Sequence, residues 1–182
     1  MSELSNPVLE TIWNRKSVRR FTPEAIPEDI IREILKCGMA GPSAVNARPW
    51  RFYAVTDRAM LCRMADGNGP AAEPLRTAAL GVLVCGDLSR ALARAPEFWV
   101  IDGSIACQNM ILAAQSLGVS SVWLGTWPLA DKCAAQAELF GLPENEMPHS
   151  LIAFGYRDAL ASDGRPPRAP KPEWEEDRVV FL

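Results

Sequence analysis

The chain has one histidine, His149, two tyrosines, and five cysteines scattered without a CxxC pair. A lone histidine leaves a Ser-His-Asp arrangement with one candidate base. Without clustered His and Cys, no metal site is expected. Cys37, Cys62, Cys85, Cys107 and Cys133 are odd in number and sit mostly among apolar neighbours, so they read as reduced core residues rather than a disulfide framework. No apolar run reaches the length of a membrane span, and the N-terminus lacks a charged-then-apolar signal pattern. The expectation is a cytoplasmic protein without a membrane partner. The net charge of -3 also argues against a dedicated nucleic-acid binder.

What is present suits one domain over 1–182: 48% hydrophobic and 23% charged residues are ordinary for a globular chain with a real core. Ile101 to Trp127 is the stretch around which the rest is organised. Asp102 or Ser104 can cap a helix there, Gly118 can close it in the left-handed conformation, and no proline intervenes. A helix of about 16 residues spans roughly 24 Å. Ser104, Gln108 and Gln115 fall near one line, flanked by Asn109 and Ser116, while apolar residues fill most of the circumference. Such a helix is expected to be buried on nearly every side, by a sheet on one face and by further structure, for which a second subunit would serve, on the other.

Elsewhere, Asn6-Pro7 starts a helix that runs into Asn14 to Phe21, where Arg15, Lys16, Arg19 and Arg20 surround Ser17. Arginine forks and a serine hydroxyl suit a phosphate; a solvated basic surface is the plain alternative. Pro23 and Pro27 precede a helix carrying Ile30, Ile31, Ile34 and Leu35. Gly41 to Phe52 is a loop of turn formers leading into a strand from Arg51 to Val55. Asp57 to Arg76 reads as a helix and a loose segment. Its Gly67-Asn68-Gly69-Pro70-Ala71-Ala72 is discarded as a dinucleotide fingerprint because it precedes a strand and contains proline. Leu80 to Cys85 has the pattern of a central strand. Arg90 to Val100 reads as irregular or weakly helical, with Phe98 and Trp99 either covering a pocket or merely packing. Strands are expected at Ser121 to Leu124 and Ser150 to Tyr156, with a short helix from Ala130 to Phe140 between them. Gly155 allows a close backbone approach, and His149 just before the last strand reads as structural or exposed. The arm 164–182 is proline-rich and cationic and ends in Arg178 to Leu182, expected to form a short strand able to exchange with a partner chain.

Three separated segments agree with one pattern: R-K-S-V-R-R-F, then P-S-A-V-N-A-R-P-W-R-F, then D-G-S-I-A-C-Q-N-M-I-L-A-A-Q-S-L-G-V followed by W-L-G-T-W. Together they resemble the FMN-dependent nitroreductase family in its shorter, single-domain form. The resemblance implies an α+β fold with a central mixed or antiparallel sheet flanked by helices, and an intertwined homodimer with FMN in the interface. It implies that Arg15, Lys16, Ser17 and Arg19 hold the FMN phosphate and ribityl chain and reach the ring. Pro42, Ser43 and Asn46 match the loop contributed by the other subunit, and Gly125 and Thr126 the turn facing the isoalloxazine. Arg168 most resembles the tail arginine that returns to the phosphate, with Lys171 or Arg165 as alternatives because the tail departs from the usual K-x-R spacing. Arg48 stands where glutamine is common, and the segment before Leu80 has no obvious counterpart to the polar flavin contacts of longer members.

The chemistry so implied is ping-pong: NAD(P)H passes hydride to flavin N5, and a small electron-poor acceptor, nitroaromatic or quinone, then takes it in the same pocket. No protein residue is named as catalytic, since the flavin carries the hydride. Relatives of the fold also dehalogenate or fragment their substrates, but no inserted lid points that way. A flavin-binding store or redox sensor without turnover is the rival from another class.

Overall fold

A computed structural model describes residues 6–161 and 175–182. Among them four strands form one antiparallel sheet in the order β1-β2-β4-β3, where β1 is Trp50–Val55, β2 Leu80–Asp87, β3 Ser120–Gly125 and β4 Glu146–Gly155. Five α-helices surround it: α1 Pro7–Asn14, α2 Glu28–Met39, α3 Arg58–Asn68, α4 Phe98–Ser116 and α5 Ala130–Phe140.

All eight residues of β2 are buried, as its continuous apolar run requires of a strand with neighbours on both edges and layers on both faces. Alternation sorts them. Leu80, Val82 and Val84 join Ile152 and Phe154 of β4 beneath α4 and α2, around Ile34, Met110 and Ile111. Leu83 and Cys85 join Leu151 and Ala153 on the other face, under Leu61 and Met64 of α3, Leu75, and residues of β3. The segment expected to be loose, Pro70–Arg76, is a 3-10 turn that inserts Ala72, Pro74 and Leu75 into this second core.

The organising helix differs from its expected bounds. It starts at Phe98 rather than at Asp102 or Ser104 and has no side-chain N-cap, so Phe98 and Trp99 belong to its first turn. Asp102 is committed elsewhere, and the Ser104 hydroxyl donates back to the Val100 carbonyl at 2.7 Å. Gly118, at φ 76, follows the helix end in the left-handed conformation expected of it. Nor is the helix buried all round in the single chain. Trp99, Cys107, Met110 and Ala114 face the sheet, whereas Phe98 and Ile101 remain 43% and 54% exposed and Gln108 is exposed. Alongside this open stripe, a groove of about 400 Å³ lies between α1, the end of α2 and α4, lined by Val8, Ile12, Cys37, Leu112 and Ala113 among others.

The last strand also differs: β4 begins at Glu146, so His149 lies inside it. Val84 pairs with Ser150 and Cys85 with Pro148, leaving His149 as the extra residue of a bulge. Pro148 lacks a donor for the ladder, and a bulge tolerates that loss. Gly155 does allow a close approach, because a Cβ there would lie 2.8 Å from the Phe21 ring. At the C-terminus, a 3-10 turn at Glu176–Arg178 replaces the start of the expected strand, and no strand forms through Leu182. A terminal strand needs a partner edge, and the C-terminal residues pair with neither outer strand of their own sheet.

Candidate active site

The basic segment is held by its neighbours on both sides. Asn6 caps α1 by accepting the N–H groups of Val8 and Leu9 at 3.0 and 3.1 Å. Arg15 turns the chain extended at φ −60, ψ 128. Ser17 then bridges Ser121 of β3, and the Val18 N–H donates to the Ser121 carbonyl at 2.9 Å. Val18 is buried, so alternation in the extended chain around it sends Ser17 and Arg19 to the opposite side. Arg15 and Arg19 are half-buried and Lys16 is exposed. Among the described residues, no carboxylate forms an ion pair with Arg15, Lys16, Arg19 or Arg20. Four such cations beside a serine hydroxyl are suited to an anion rather than to an internal ion-pair network.

Four residues further along β3 from Ser121, a strand distance of about 13 Å, Gly125 and Thr126 form the turn at its end. Gly125 is exposed, and a Cβ there would meet nothing within 4 Å, so the backbone borders open space. Thr126 is fully buried, and its hydroxyl donates to Asn68 Oδ1 at 2.9 Å while Asn68 Nδ2 donates to the Gly125 carbonyl at 3.2 Å.

The loop 42–48 is strained. Val45, Asn46 and Arg48 have φ of 47, 59 and 50, and a β-branched residue in that region is an outlier. Such strain persists where surroundings enforce it. Ser43 Oγ accepts the Arg48 N–H at 2.9 Å, Asn46 Oδ1 accepts Arg48 Nε at 2.8 Å, and buried Asp102 of α4 accepts the Ala44 N–H at 3.0 Å. Pro42 and Asn46 are exposed and Ser43 half-buried.

The structure brings Ser17 to β3 through its bridge to Ser121, with Arg15 and Arg19 two residues away on either side, and β3 leads to Gly125 and Thr126 at its end. It does not bring Ser43 and Asn46 to them: their loop leads into β1, and β1 and β3 are the two outer strands of the sheet. Arg165, Arg168 and Lys171, the tail candidates, lie outside the described residues. Trp99 is buried and meets Trp127 edge-on at 5.1 Å, so it packs behind the turn, while Phe98 stays on the open stripe.

His149 is structural and buried. Its Nε2 lies 3.1 Å from the Val100 carbonyl, which can only accept, so the ring proton is on Nε2 and Nδ1 accepts from Ser150 Oγ at 2.9 Å. Burial pushes its pKa down to about 4, with the Val100 carbonyl opposing that shift. Its backbone carbonyl accepts the Trp127 N–H at 2.9 Å, so the bulge helps to fix the turn. Among the described residues, no group of three His, Cys, Asp or Glu could hold a metal, and no helix is long and apolar enough to cross a membrane.

Reading the sequence missed Asn68 and misassigned Asp102. An asparagine before glycine at a helix end reads as a turn residue, and an aspartate near a helix start as a cap. Only the fold shows each of them reaching across more than fifty residues.

The antiparallel sheet is sandwiched by helices, with a cationic segment that makes no ion pair among the described residues along one edge and an open backbone turn at the end of the same strand. Comparisons with known proteins agree on which domain this is. The profile of the Nitroreductase family matches residues 12–156. A Methanothermobacter thermautotrophicus protein, named as a candidate NADH dehydrogenase/NAD(P)H nitroreductase, is 43% identical over 149 residues, 82% of this chain and 76% of its own length. An Archaeoglobus fulgidus protein of the same designation is 37% identical over 91% of this chain and 98% of its own. The crystal structure of a Parabacteroides distasonis protein, also so named, superposes with a TM-score of 0.85 at 34% identity, covering 97% of this chain and 98% of that one. The chain belongs to the nitroreductase family of oxidoreductases.

Proposed function

We propose that the protein is an FMN-dependent NAD(P)H oxidoreductase that works as a homodimer and reduces small electron-poor acceptors such as nitroaromatics or quinones. The observation that carries this reading is the arrangement along β3: unpaired cations near Ser121 and an exposed backbone turn at Gly125, about 13 Å apart by strand geometry. That separation suits a molecule with a phosphate at one end and a flat ring at the other. FMN, when bound, supplies hydride transfer at N5 between a reduced nicotinamide and the acceptor. The chain does the rest. Arg15 and Lys16 meet the phosphate, Ser17 the ribityl chain, and Arg19 places a cation at the ring, while the Gly125–Thr126 backbone faces the ring and leaves room for a stacked substrate.

The loop of Pro42, Ser43 and Asn46 serves the flavin of the second subunit, which accounts for its place at the opposite side of the sheet from the basic segment. The open stripe of α4 and the adjoining groove form the subunit interface, since apolar side chains such as Ile101 gain burial there. The tail cation at Arg168, Lys171 or Arg165 completes the phosphate site, and the segment at Arg178 to Leu182 finds its strand partner on the other chain. A Vibrio harveyi relative, 30% identical over 82% of this chain, is named an NADPH-flavin oxidoreductase, and the structure of an NADPH:FMN oxidoreductase from that organism contains NAD+.

The test is the visible spectrum of purified protein with identification of the cofactor released by heat, followed by steady-state oxidation of NADH and NADPH with menadione. About one FMN per chain with turnover is expected. Bound FMN without turnover would instead indicate a flavin store. Arg19→Ala should lower FMN content, and unchanged content in that variant would count against the assignment.

A further inference from the structure

Asn68 is the last residue of α3 and is 1% exposed, although asparagine is ordinarily a surface residue. Its side chain is not needed by its own helix: the Gly69 N–H caps α3 on the carbonyls of Ala65 and Asp66. Both ends of its amide are used instead on consecutive residues of a distant element, with Nδ2 donating to the Gly125 carbonyl and Oδ1 accepting from the Thr126 hydroxyl. A leucine, branched at the same carbon though bulkier, would fill the space but leave a buried hydroxyl and a carbonyl without partners. The site therefore calls for a group that donates with one arm and accepts with the other.

We propose that Asn68 is a positioning residue of the flavin site, fixing the Gly125–Thr126 peptide whose backbone faces the ring; the inference rests on the FMN reading above. The mechanism is geometric. That peptide is trans, so its C=O and N–H point opposite ways. Anchoring the Gly125 carbonyl on Asn68 directs the Thr126 N–H away from α3. The platform beneath is itself fixed, because buried Gln136 of α5 donates from Nε2 to the Met64 carbonyl in the last turns of α3. The other side of the turn is held by the Trp127 N–H on the His149 carbonyl. The turn is thus pinned from α3 and from the β4 bulge, with Gly125 left exposed between them.

The experiment titrates the apo forms of wild type, Asn68→Leu and Asn68→Asp with FMN by quenching of flavin fluorescence between about pH 5 and 8, with circular dichroism on every sample and visible spectra of the bound flavin. Asn68→Leu should weaken FMN at least tenfold and shift the flavin bands, because it holds the space but not the peptide. Asn68→Asp separates positioning from packing. A protonated carboxyl both donates and accepts, as the amide does, whereas an ionised one faces the Gly125 carbonyl with a like charge. Burial raises the pKa of such a carboxyl, so this variant should regain affinity at least threefold, relative to wild type, as pH falls. Thr126→Val removes the hydroxyl from the other end and should shift the flavin bands in the same direction even if Asn68→Asp is unfolded. Wild-type affinity and bands in the variants at every pH would overturn the inference. Failure of wild type itself to bind FMN would overturn the functional reading, and this inference with it.

Discussion

Asp102, buried in the second turn of α4, accepts the backbone N–H of Ala44 at 3.0 Å across 58 positions of sequence. It ties a loop with three left-handed non-glycine residues to the central helix of the fold. Asp102→Ala removes that acceptor and leaves a part-buried donor unsatisfied, a cost of about 1–3 kcal/mol. The loop should relax out of its strained backbone, and FMN content should drop along with the melting temperature. Asp102→Asn, which keeps an acceptor, should retain most of both. Thermal melts and released-flavin assays on the pair check this.

His149 predicts a pH dependence of stability. Its folded-state pKa of about 4 lies below the ordinary 6.5, so the unfolded chain binds the proton more readily. Stability from this group is complete above about pH 6.5 and is lost as pH falls towards 4, by on the order of 3 kcal/mol in all. Urea midpoints at about pH 7 and 5 should differ in wild type by more than in His149→Gln. Equal slopes in the two proteins would remove His149 as the cause.

The exposed stripe of α4 predicts an assembly. Ile101→Asp puts a charge where a second subunit would cover the chain, and it should yield monomers by light scattering with circular dichroism unchanged. On the proposed reading, in which each site draws its loop from the other chain, flavin should be lost in parallel. Monomers that keep full flavin would show that one chain completes the site alone.

Thiol reactivity follows burial. Cys85, Cys107 and Cys133 are buried, and burial raises all three thiols above their ordinary pKa, keeping the reactive thiolate scarce. Cys37 and Cys62 are half-exposed. A chromogenic disulfide reagent should titrate no more than two thiols in native protein and five in denaturant.

The sequence carried the parts of this fold whose causes are local. The continuous apolar run at Leu80, the Asn6-Pro7 start and the glycine at 118 each act through neighbours within a few residues, and each stands where its pattern places it. Contacts formed only after the chain closes on itself were not legible. Asp102 has the chemistry of a cap but is spent on Ala44, Asn68 has that of a turn but is spent on β3, and His149 becomes a strand residue because a bulge accommodates it after Pro148. The site follows the same division. The motifs proposed for it were readable, whereas their separation to opposite sides of the sheet comes from strand order, which no local pattern encodes.

The bridge from Ser17 to Ser121 bears on solubility as well as on ligands. β3 is an outer strand, and an outer strand offers its unpaired backbone to any extended chain that meets it. The Val18 N–H occupies the Ser121 carbonyl, and the cations on either side of Val18 repel a second copy bringing the same segment. Removing the first twenty residues should therefore do more than take away the proposed phosphate ligands: it would bare a sticky edge, and the truncated protein should aggregate on concentration even where its core remains folded.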